Sequence, residues 1–311
     1  MLSNGSLTRR GFLKDAAAVA GVSVLSGTLG HPFPCMGTPL PYDRTLRDRL
    51  WMWGHDAGST KGLYNIPEGG KILPAEAIDY MGIPNVCMIR WRSMPEPPFD
   101  EYVKQFAKTK RLAWSIVDGA RQPYAEKKRM AFELASKMPN LVSVYLDDFF
   151  IGDAVPKQDE APGNLTVSGM QALREELDAQ KRRLDLSLVL YSNQLNPAIA
   201  RHIRYCDVVS FWTWKATELV NLQRNFQTYR QILPDTRTLL GVYMWDFGNS
   251  KPITLELMEH QCRLGLQWLK EGKIEGLIFH CTPLCDMKLE SVEWSKKWIA
   301  RHADDVIGGM A

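Results

Sequence analysis

No part of the 311-residue sequence carries a dense block of lysine and arginine, and the formal net charge is only +3. Proteins that follow a nucleic-acid backbone concentrate positive charge on one surface. Nucleic acid is therefore not an expected partner. A long membrane-spanning run is also missing, because the apolar stretch at residues 16–29 is short and rich in glycine and alanine.

Paired metal-ligand motifs are absent from the sequence as well. The six cysteines show no CxxC spacing, and the histidines form no HxH or HExxH motif. Cys281 and Cys285 stand four residues apart, which leaves a disulfide or a metal site open at that point. We expect both to be unpaired small residues of the core or of a loop. No cofactor and no metal ligand are predicted.

The first thirty residues differ in composition from the rest of the chain. Arg9 and Arg10 are followed by Gly-Phe-Leu-Lys and then by the short apolar run. This arrangement resembles a twin-arginine export signal, which implies that the folded protein is carried to the periplasm or the exterior. We expect a signal peptide over residues 1–30, an N-terminal extension over 31–49 and one catalytic domain over 50–311, with no stable membrane insertion once the signal is removed.

Short apolar runs alternate with amphipathic segments through the rest of the chain, eight of each. The predicted strands are Leu50–Gly54, Val86–Trp91, Leu112–Val117, Leu141–Leu146, Leu186–Tyr191, Val208–Thr213, Thr238–Trp245 and Gly276–His280. The predicted helices are Ala75–Met81, Phe99–Thr109, Tyr124–Lys137, Val167–Arg183, Pro197–Ile203, Ala216–Leu233, Thr254–Glu271 and Leu289–Arg301.

Strict alternation of this kind predicts parallel βαβ units. Eight units over roughly 250 residues favour a single (β/α)8 TIM barrel over a doubly wound sheet. A doubly wound sheet would place a glycine-rich phosphate turn after its first strand, and the sequence there is Trp53-Gly54-His55-Asp56. The longest predicted connection, Phe149–Thr166, contains two prolines and two glycines, which indicates a loop over the pocket.

Polar and aromatic residues collect at the carboxyl ends of the predicted strands, where a barrel holds its catalytic groups. The amino-terminal ends begin with plain residues, and simple polarity at strand ends does not explain the enrichment in tryptophan. The candidate substrate-binding residues at these ends are Trp53, His55, Asp56, Arg90, Arg92, Asp118, Tyr191, Asn193, Trp212, Trp214, Lys215, Trp245 and His280.

The pair Asp147-Asp148 is the strongest candidate catalytic constellation. Strand alternation predicts that Ser143, Tyr145 and Asp147 face the barrel interior, with Asp148 starting the next loop. Two neighbouring carboxyl groups can hold protons with different affinities, because burial and like charge raise the pKa of one of them. The alternative is a structural role, as a helix cap or in a salt bridge to Arg90 or Arg92.

Asp246, at the end of the seventh strand, is a second candidate catalytic carboxylate. Glycoside cleavage needs two carboxyl groups on either side of one bond. The sequence Asp246-Phe247-Gly248-Asn249 also has the composition of a simple turn. Alternation points Trp212, Trp214 and Trp245 into the lumen, and Trp53 less clearly. Their indole faces would stack on sugar rings.

The order of elements and the segment Tyr145-Leu146-Asp147-Asp148-Phe149 resemble the TIM-barrel glycoside hydrolases. Carboxylates on strands four and seven are similar to the placement in that group's large retaining clan. The clan uses glutamates, often Asn-Glu on strand four, whereas both positions here are aspartates. The resemblance implies a carbohydrate substrate, with Arg90, Arg92, Asn193 and His280 holding hydroxyl groups or tuning the carboxylates.

Two other functions remain open at the sequence level. A metal-dependent hydrolase or lyase could gather His55, Asp56, Asp147, Asp246 and His280 around an ion, with Asp148 beside them. A non-catalytic sugar-binding barrel would need the aromatic platform but not the paired carboxylates. The sequence does not indicate an oligomeric state.

Overall fold

The computed structural model describes residues 42–67, 70–119, 121–150 and 164–308. The barrel lies within the unit Cys35–Ala311. The twin-arginine segment and most of the predicted Phe149–Thr166 loop fall outside the described residues. Within them, no helix is both long and apolar enough to cross a lipid bilayer.

Eight parallel strands close into one barrel in sequence order, with the first strand paired to the eighth. This confirms the predicted (β/α)8 architecture. The strands are β1 Leu50–Gly54, β2 Asn85–Met88, β3 Arg111–Val117, β4 Leu141–Leu146, β5 Asp185–Tyr191, β6 Val208–Trp212, β7 Arg237–Tyr243 and β8 Gly276–His280.

The described residues contain seven α-helices outside the strands. They are α1 Pro74–Met81, α2 Tyr124–Lys137, α3 Val167–Asp178, α4 Ala200–Ile203, α5 Leu222–Ile232, α6 Leu255–Lys270 and α7 Glu290–His302. The predicted helix Phe99–Thr109 was wrong in type, since only a short 3-10 helix forms there, at Tyr102–Phe106. Three prolines precede it, and Tyr102 is turned inward, where its hydroxyl donates to Asp56 Oδ1 at 3.1 Å.

Three strands end earlier in the structure than the sequence predicts. β2 ends at Met88 because the chain then turns back on itself, with a bridge between Trp91 and Met94 and positive φ angles at Arg92 and Ser93. Likewise, β6 ends at Trp212 and β7 at Tyr243. The polar residues that follow these strands therefore lie on loops.

The barrel core is packed from both sides of the strands, as the continuous apolar runs predict. Val144 and Leu146 of β4 are fully buried, and Val142 packs partly buried against the same core. On the lumen side the Ser143 hydroxyl lies 2.8 Å from that of Ser187. Tyr145 meets the Trp53 ring edge-on at 5.6 Å, so the predicted interior face of β4 is confirmed.

A tyrosine closes the amino-terminal end of the barrel. Tyr42 is partly buried, and its hydroxyl accepts from Trp51 Nε1 at 3.2 Å. The guanidinium groups of Arg49 and Arg111 lie 4.5 and 4.4 Å from the centre of its ring. Cation–π contacts of this kind stabilise a desolvated ring. Tyr42 therefore forms the floor of the barrel.

Ion pairs surround this floor. Asp207 is completely buried as a side chain and contacts Arg174 at 2.6 Å and Arg183 at 2.5 Å. Arg237 pairs with Asp185 at 3.0 Å and with Glu275 at 2.6 Å. Such pairs hold the strand ends together, since removing one partner leaves an uncompensated buried charge.

The described cysteines are all buried, and Cys87, Cys262, Cys281 and Cys285 among them are free thiols. This confirms the expectation for Cys281 and Cys285. Both lie at the start of the loop after β8, packed as small apolar groups.

Candidate active site

A pocket opens at the carboxyl end of the barrel. The empty space within it, together with the open solvent at its mouth, is about 560 Å³. The described residues that line it are Trp53, His55, Thr60, Tyr64, Trp91, Asp147, Asp148, Val189, Tyr191, Trp212, Trp214, Tyr243, Phe247 and His280.

Asp147 lies directly after β4 and continues the interior face of that strand. Its backbone N–H donates to Val117 O at 2.9 Å, which fixes it beside β3. The residue is buried, and burial raises the pKa of its carboxyl group well above the usual value, with further contributions from the charges of Asp148 and Asp118. A carboxyl group in this state keeps its proton at a pH where an ordinary aspartate has lost it.

Asp148 has a different environment although it is the next residue. Its φ angle of 42° turns the chain outward, and its side chain is exposed at the pocket. The Tyr191 hydroxyl donates to Asp148 Oδ1 at 2.7 Å. The two carboxyl groups therefore differ in burial and in hydrogen bonding, which is the condition that separates an acid from a base at one site.

His55 is a neutral imidazole with a defined tautomer. Trp53 Nε1 donates to its Nε2 at 3.1 Å, so the ring proton lies on Nδ1, which donates to Ile89 O at 3.1 Å. Burial lowers the pKa of His55 to about 4, although the bond to Ile89 and the charge of Asp118 act in the opposite direction. Thr282 holds the His55 backbone from the β8 side through two hydrogen bonds.

His280 ends β8 among aromatic rings. The ring centre of Phe247 lies 4.6 Å away, that of Tyr243 5.0 Å and that of Trp53 5.7 Å. Burial lowers its pKa well below the usual value, and His55 adds to the effect. Its Nδ1 has no hydrogen-bond partner among the described residues. The ring is therefore neutral at physiological pH.

Aromatic side chains form the remaining walls of the pocket. Trp212 meets Trp53 edge-on at 5.2 Å, and Trp214 faces Tyr64 at 5.8 Å. Small residues make room for these rings: a Cβ at Gly119 would lie 2.8 Å from the Trp91 ring, and one at Gly241 only 2.0 Å from Trp212. The tryptophan platform therefore depends on glycines of the neighbouring strands and loops.

Asp246 does not reach the pocket. Its carboxylate accepts from the backbone N–H of Ala216 at 3.1 Å and from the side chain of Asn249 at 2.8 and 3.0 Å. It is 2 % exposed and holds a tight turn between Asp246 and Lys251. The segment Asp246-Phe247-Gly248-Asn249 thus forms the turn that its composition indicates, because a short acidic side chain readily bonds to the backbone next to it.

Two other predicted residues are also engaged outside the pocket lining. Trp245 donates its Nε1 proton to Tyr64 O at 3.0 Å, so it supports the loop that carries Tyr64. Asp118 pairs with Lys127 at 2.6 Å and accepts from Ser115 Oγ. Both act on the pocket through their neighbours.

The remaining predicted contacts lie around the pocket. Arg90 is buried behind it, Arg92 is exposed and donates to Lys61 O, and Asp56 accepts from Tyr102. Asn193 is exposed in a short 3-10 helix after β5 and Lys215 is exposed after β6. None of these five residues belongs to the described pocket lining.

Several lining residues were missed by the sequence reading: Thr60, Tyr64, Val189, Tyr243 and Phe247. Tyr243 had a usable signal, since it lies two residues before Trp245 and so on the same face of the strand. Thr60 and Tyr64 come from the loop after β1, and no periodic pattern predicts where that loop folds.

Among the described residues, no group of three or more histidine, cysteine or acidic side chains is placed to hold a metal ion. His55 and His280 are close, with ring centres 5.5 Å apart. However, both nitrogens of His55 are taken by Trp53 and Ile89. The ligand set that a metal-dependent enzyme requires is not gathered in this part of the chain.

No protein-family model matches the sequence, and no curated protein matches it significantly. Solved structures match it through their fold. A protein assigned as an α-L-fucosidase, from Bacteroides thetaiotaomicron, is 11 % identical over 86 % of this chain and 97 % of its own, with a TM-score of 0.53. The spore cortex-lytic enzyme SleL of Bacillus megaterium is 10 % identical over 88 % of this chain and 77 % of its own, with a TM-score of 0.52. These likenesses show that the chain shares its barrel fold with such enzymes.

Proposed function

We propose that this protein is an exported glycoside hydrolase, or a closely related carbohydrate-active enzyme, that acts at the carboxyl end of its barrel. The observation that carries the proposal is the pair of adjacent aspartates in an aromatic pocket, one buried and one exposed. Paired carboxyl groups of unlike proton affinity are the chemical requirement of glycoside cleavage.

In this proposal Asp147 is the general acid. Its raised pKa keeps the carboxyl group protonated, so that it can donate to the oxygen of the leaving group as the glycosidic bond breaks. Asp148 is the partner carboxyl group, positioned by the Tyr191 hydroxyl. It would stabilise the positive charge that develops on the sugar ring or activate the attacking water.

The walls of the pocket support a carbohydrate substrate. Trp91 and Trp214 are partly exposed at its lining, and Trp53 and Trp212 line it as almost fully buried rings. His280 and Tyr243 add polar atoms between these surfaces. A few polar groups set among aromatic walls fix the orientation of a ligand that has both apolar faces and hydroxyl groups.

The test is hydrolysis of a broad panel of oligosaccharides and aryl glycosides by the purified protein, with Asp147→Asn and Asp246→Asn variants beside it. We expect turnover by the wild-type protein, loss of turnover in Asp147→Asn, and retained turnover in Asp246→Asn, since Asp246 holds a turn. Loss in both variants to the same degree would contradict the assignment of the acid.

The same assay separates the two other functions. Turnover that EDTA abolishes and an added metal restores would move a metal-dependent hydrolase or lyase to first place. Sugar binding without turnover across the panel would favour a non-catalytic sugar-binding barrel. Turnover that resists EDTA supports the mechanism with two carboxyl groups.

Export is proposed from the leader alone. A fusion of residues 1–41 to a reporter that folds before export should reach the periplasm, and an Arg9→Lys, Arg10→Lys double variant should remain in the cytoplasm. Equal export of both fusions would contradict the twin-arginine assignment.

A further inference from the structure

The pocket has acidic groups but no basic ones among its described lining residues. Asp147 and Asp148 are its acidic residues, and neither lysine nor arginine lines it in the described parts of the chain. A pocket of one sign sets the sign of the ligand that it attracts.

The positive side chains near the mouth are directed elsewhere. Arg90 is 1 % exposed; its Nε donates to Pro95 O at 3.0 Å, and its guanidinium lies 4.9 Å from the centre of the Phe99 ring. Arg92 donates to the backbone of Lys61 at 3.1 Å. These arginines follow β2, yet neither belongs to the described pocket lining.

The two histidines of the pocket do not replace the missing positive charge. Burial lowers the pKa of His55 to about 4 and that of His280 well below its usual value. Asp118 acts against the shift at His55, and His55 adds to the lowering of the pKa of His280. Both imidazoles are therefore neutral at physiological pH.

Asp148 offers a free acceptor beside ring surfaces. Its Oδ1 accepts from the Tyr191 hydroxyl, whereas its Oδ2 receives no hydrogen bond from any described residue. The Tyr191 ring lies 6.0 Å from the Trp214 ring, which in turn lies 5.9 Å from Tyr243. Aromatic faces next to an exposed carboxylate attract cations, as in the aromatic cages that bind ammonium groups.

We propose that the sugar held in this pocket carries a protonated amino group, which Asp148 Oδ2 and the Trp214, Tyr191 and Tyr243 rings receive. This inference rests on the proposed function, whose substrate class it narrows to amino sugars with a free amine. Uronic acids are excluded because their carboxylate would be desolvated beside Asp148 without a cation to pair it.

The test is calorimetric binding to the Asp147→Asn variant, which retains Asp148 and the aromatic rings. The ligands are matched oligomers of glucosamine, galactosamine, N-acetylglucosamine, glucose and glucuronic acid. We expect one of the amine oligomers to bind about tenfold more tightly than its neutral counterpart, as a charge-assisted contact predicts. The advantage should shrink with added salt and as the pH rises enough to deprotonate the amine.

A second variant isolates the contact. In the Asp147→Asn, Asp148→Asn double variant the preference for the amine should disappear, while the affinity for the neutral sugars stays the same. Equal binding of amine and neutral oligomers by Asp147→Asn, tight binding of glucuronic acid, or no binding of either amine oligomer would overturn the inference.

Failure of this inference and failure of the proposed function have different signatures. Turnover of neutral glycosides without an amine preference would retain the hydrolase and reject the amino-sugar assignment. Selective binding of an amine oligomer that the wild-type protein never cleaves would do the reverse.

Discussion

At the amino-terminal end of the barrel each buried carboxylate lies against a guanidinium, whereas at the carboxyl end the buried Asp147 has no cation in contact. Asp207 meets two arginines within 2.6 Å. Asp147 instead has Asp148 beside it, and the nearest lysine, Lys127, is already paired with Asp118.

The difference shows how one fold divides two tasks between its ends. Paired charges at the floor join the strand ends. Unpaired carboxyl and imidazole groups at the mouth have shifted pKa values, because burial penalises their charged forms. Shifted pKa values of this kind mark a site where protons are moved, while the floor contributes stability.

The strongest test of the difference between the two ends of the barrel is the loss of activity expected in the Asp147→Asn variant. General acid catalysis contributes roughly 10²- to 10⁴-fold, so kcat should fall by that factor on substrates with poor leaving groups. The pH profile of the wild-type kcat should decline on the alkaline side, as Asp147 loses its proton at its raised pKa. If kcat did not decline at alkaline pH, a group other than Asp147 would be the general acid.

At the floor the same substitution should act on stability. Asp207→Asn removes the buried carboxylate that the buried Arg174 and the partly exposed Arg183 share. Breaking a buried pair in this way destabilises by about 3–5 kcal/mol, which denaturant unfolding would measure.

Asp178→Asn is the matched control for this change. Asp178 also contacts Arg174, at 2.8 Å, but its side chain is 51 % exposed. The expected loss is below about 1 kcal/mol, as for surface ion pairs. Equal losses in the two variants would remove the distinction between floor and surface.

In contrast to Asp207→Asn, the substitution Asp147→Asn should raise the free energy of unfolding. Because its pKa is raised, the folded protein holds the Asp147 proton more tightly than the unfolded chain. The Asp147 carboxyl group therefore contributes fully to the wild-type free energy of unfolding below about pH 3.9, the pKa of an unfolded aspartate. This contribution is lost as the pH rises through the raised pKa.

The asparagine variant does not lose stability in this way. We expect it to be more stable than the wild type by about 1 kcal/mol at neutral pH, in line with the trade-off between activity and stability. The difference in the free energy of unfolding between the variant and the wild type should disappear in acid. Denaturant unfolding at a series of pH values measures this difference, and an increase of the difference in acid would contradict the direction of the pKa shift.

The smallest expected effect concerns the aromatic wall. Gly119→Ala places a Cβ 2.8 Å from the Trp91 ring, so the indole must shift. If the overpacking weakens substrate binding by about 1 kcal/mol, KM rises about fivefold with little change in kcat. Gly58→Ala is a control for the assay, because its Cβ would meet nothing within 4 Å, although its φ of 74° adds backbone strain. A KM change as large in the control would separate the effect from Trp91.

The sequence predicted the strands and the interior face of β4 because a barrel strand is buried on both sides and alternates strictly. It placed Asp147 and Asp148 at the mouth for the same reason. It did not predict that Arg90 turns toward Phe99 or that Asp246 bonds Asn249, since both depend on how loops fold after the strands end.

The Asp147 and Asp148 environments also differ for a reason that periodicity does not encode. The positive φ at Asp148 sends its side chain out of the strand pattern at the position where the pattern stops. Tyr64 likewise reaches the pocket from a loop that is anchored by a hydrogen bond from Trp245 to its backbone. Such contacts join residues far apart in the chain.

Tyr42 limits how far the amino terminus can be trimmed. Any shortened version made for study has to keep the chain intact from residue 42 onward, because the barrel is closed from below by that ring between Arg49 and Arg111. The short stretch from residue 42 to β1 is thus a fixed part of the barrel.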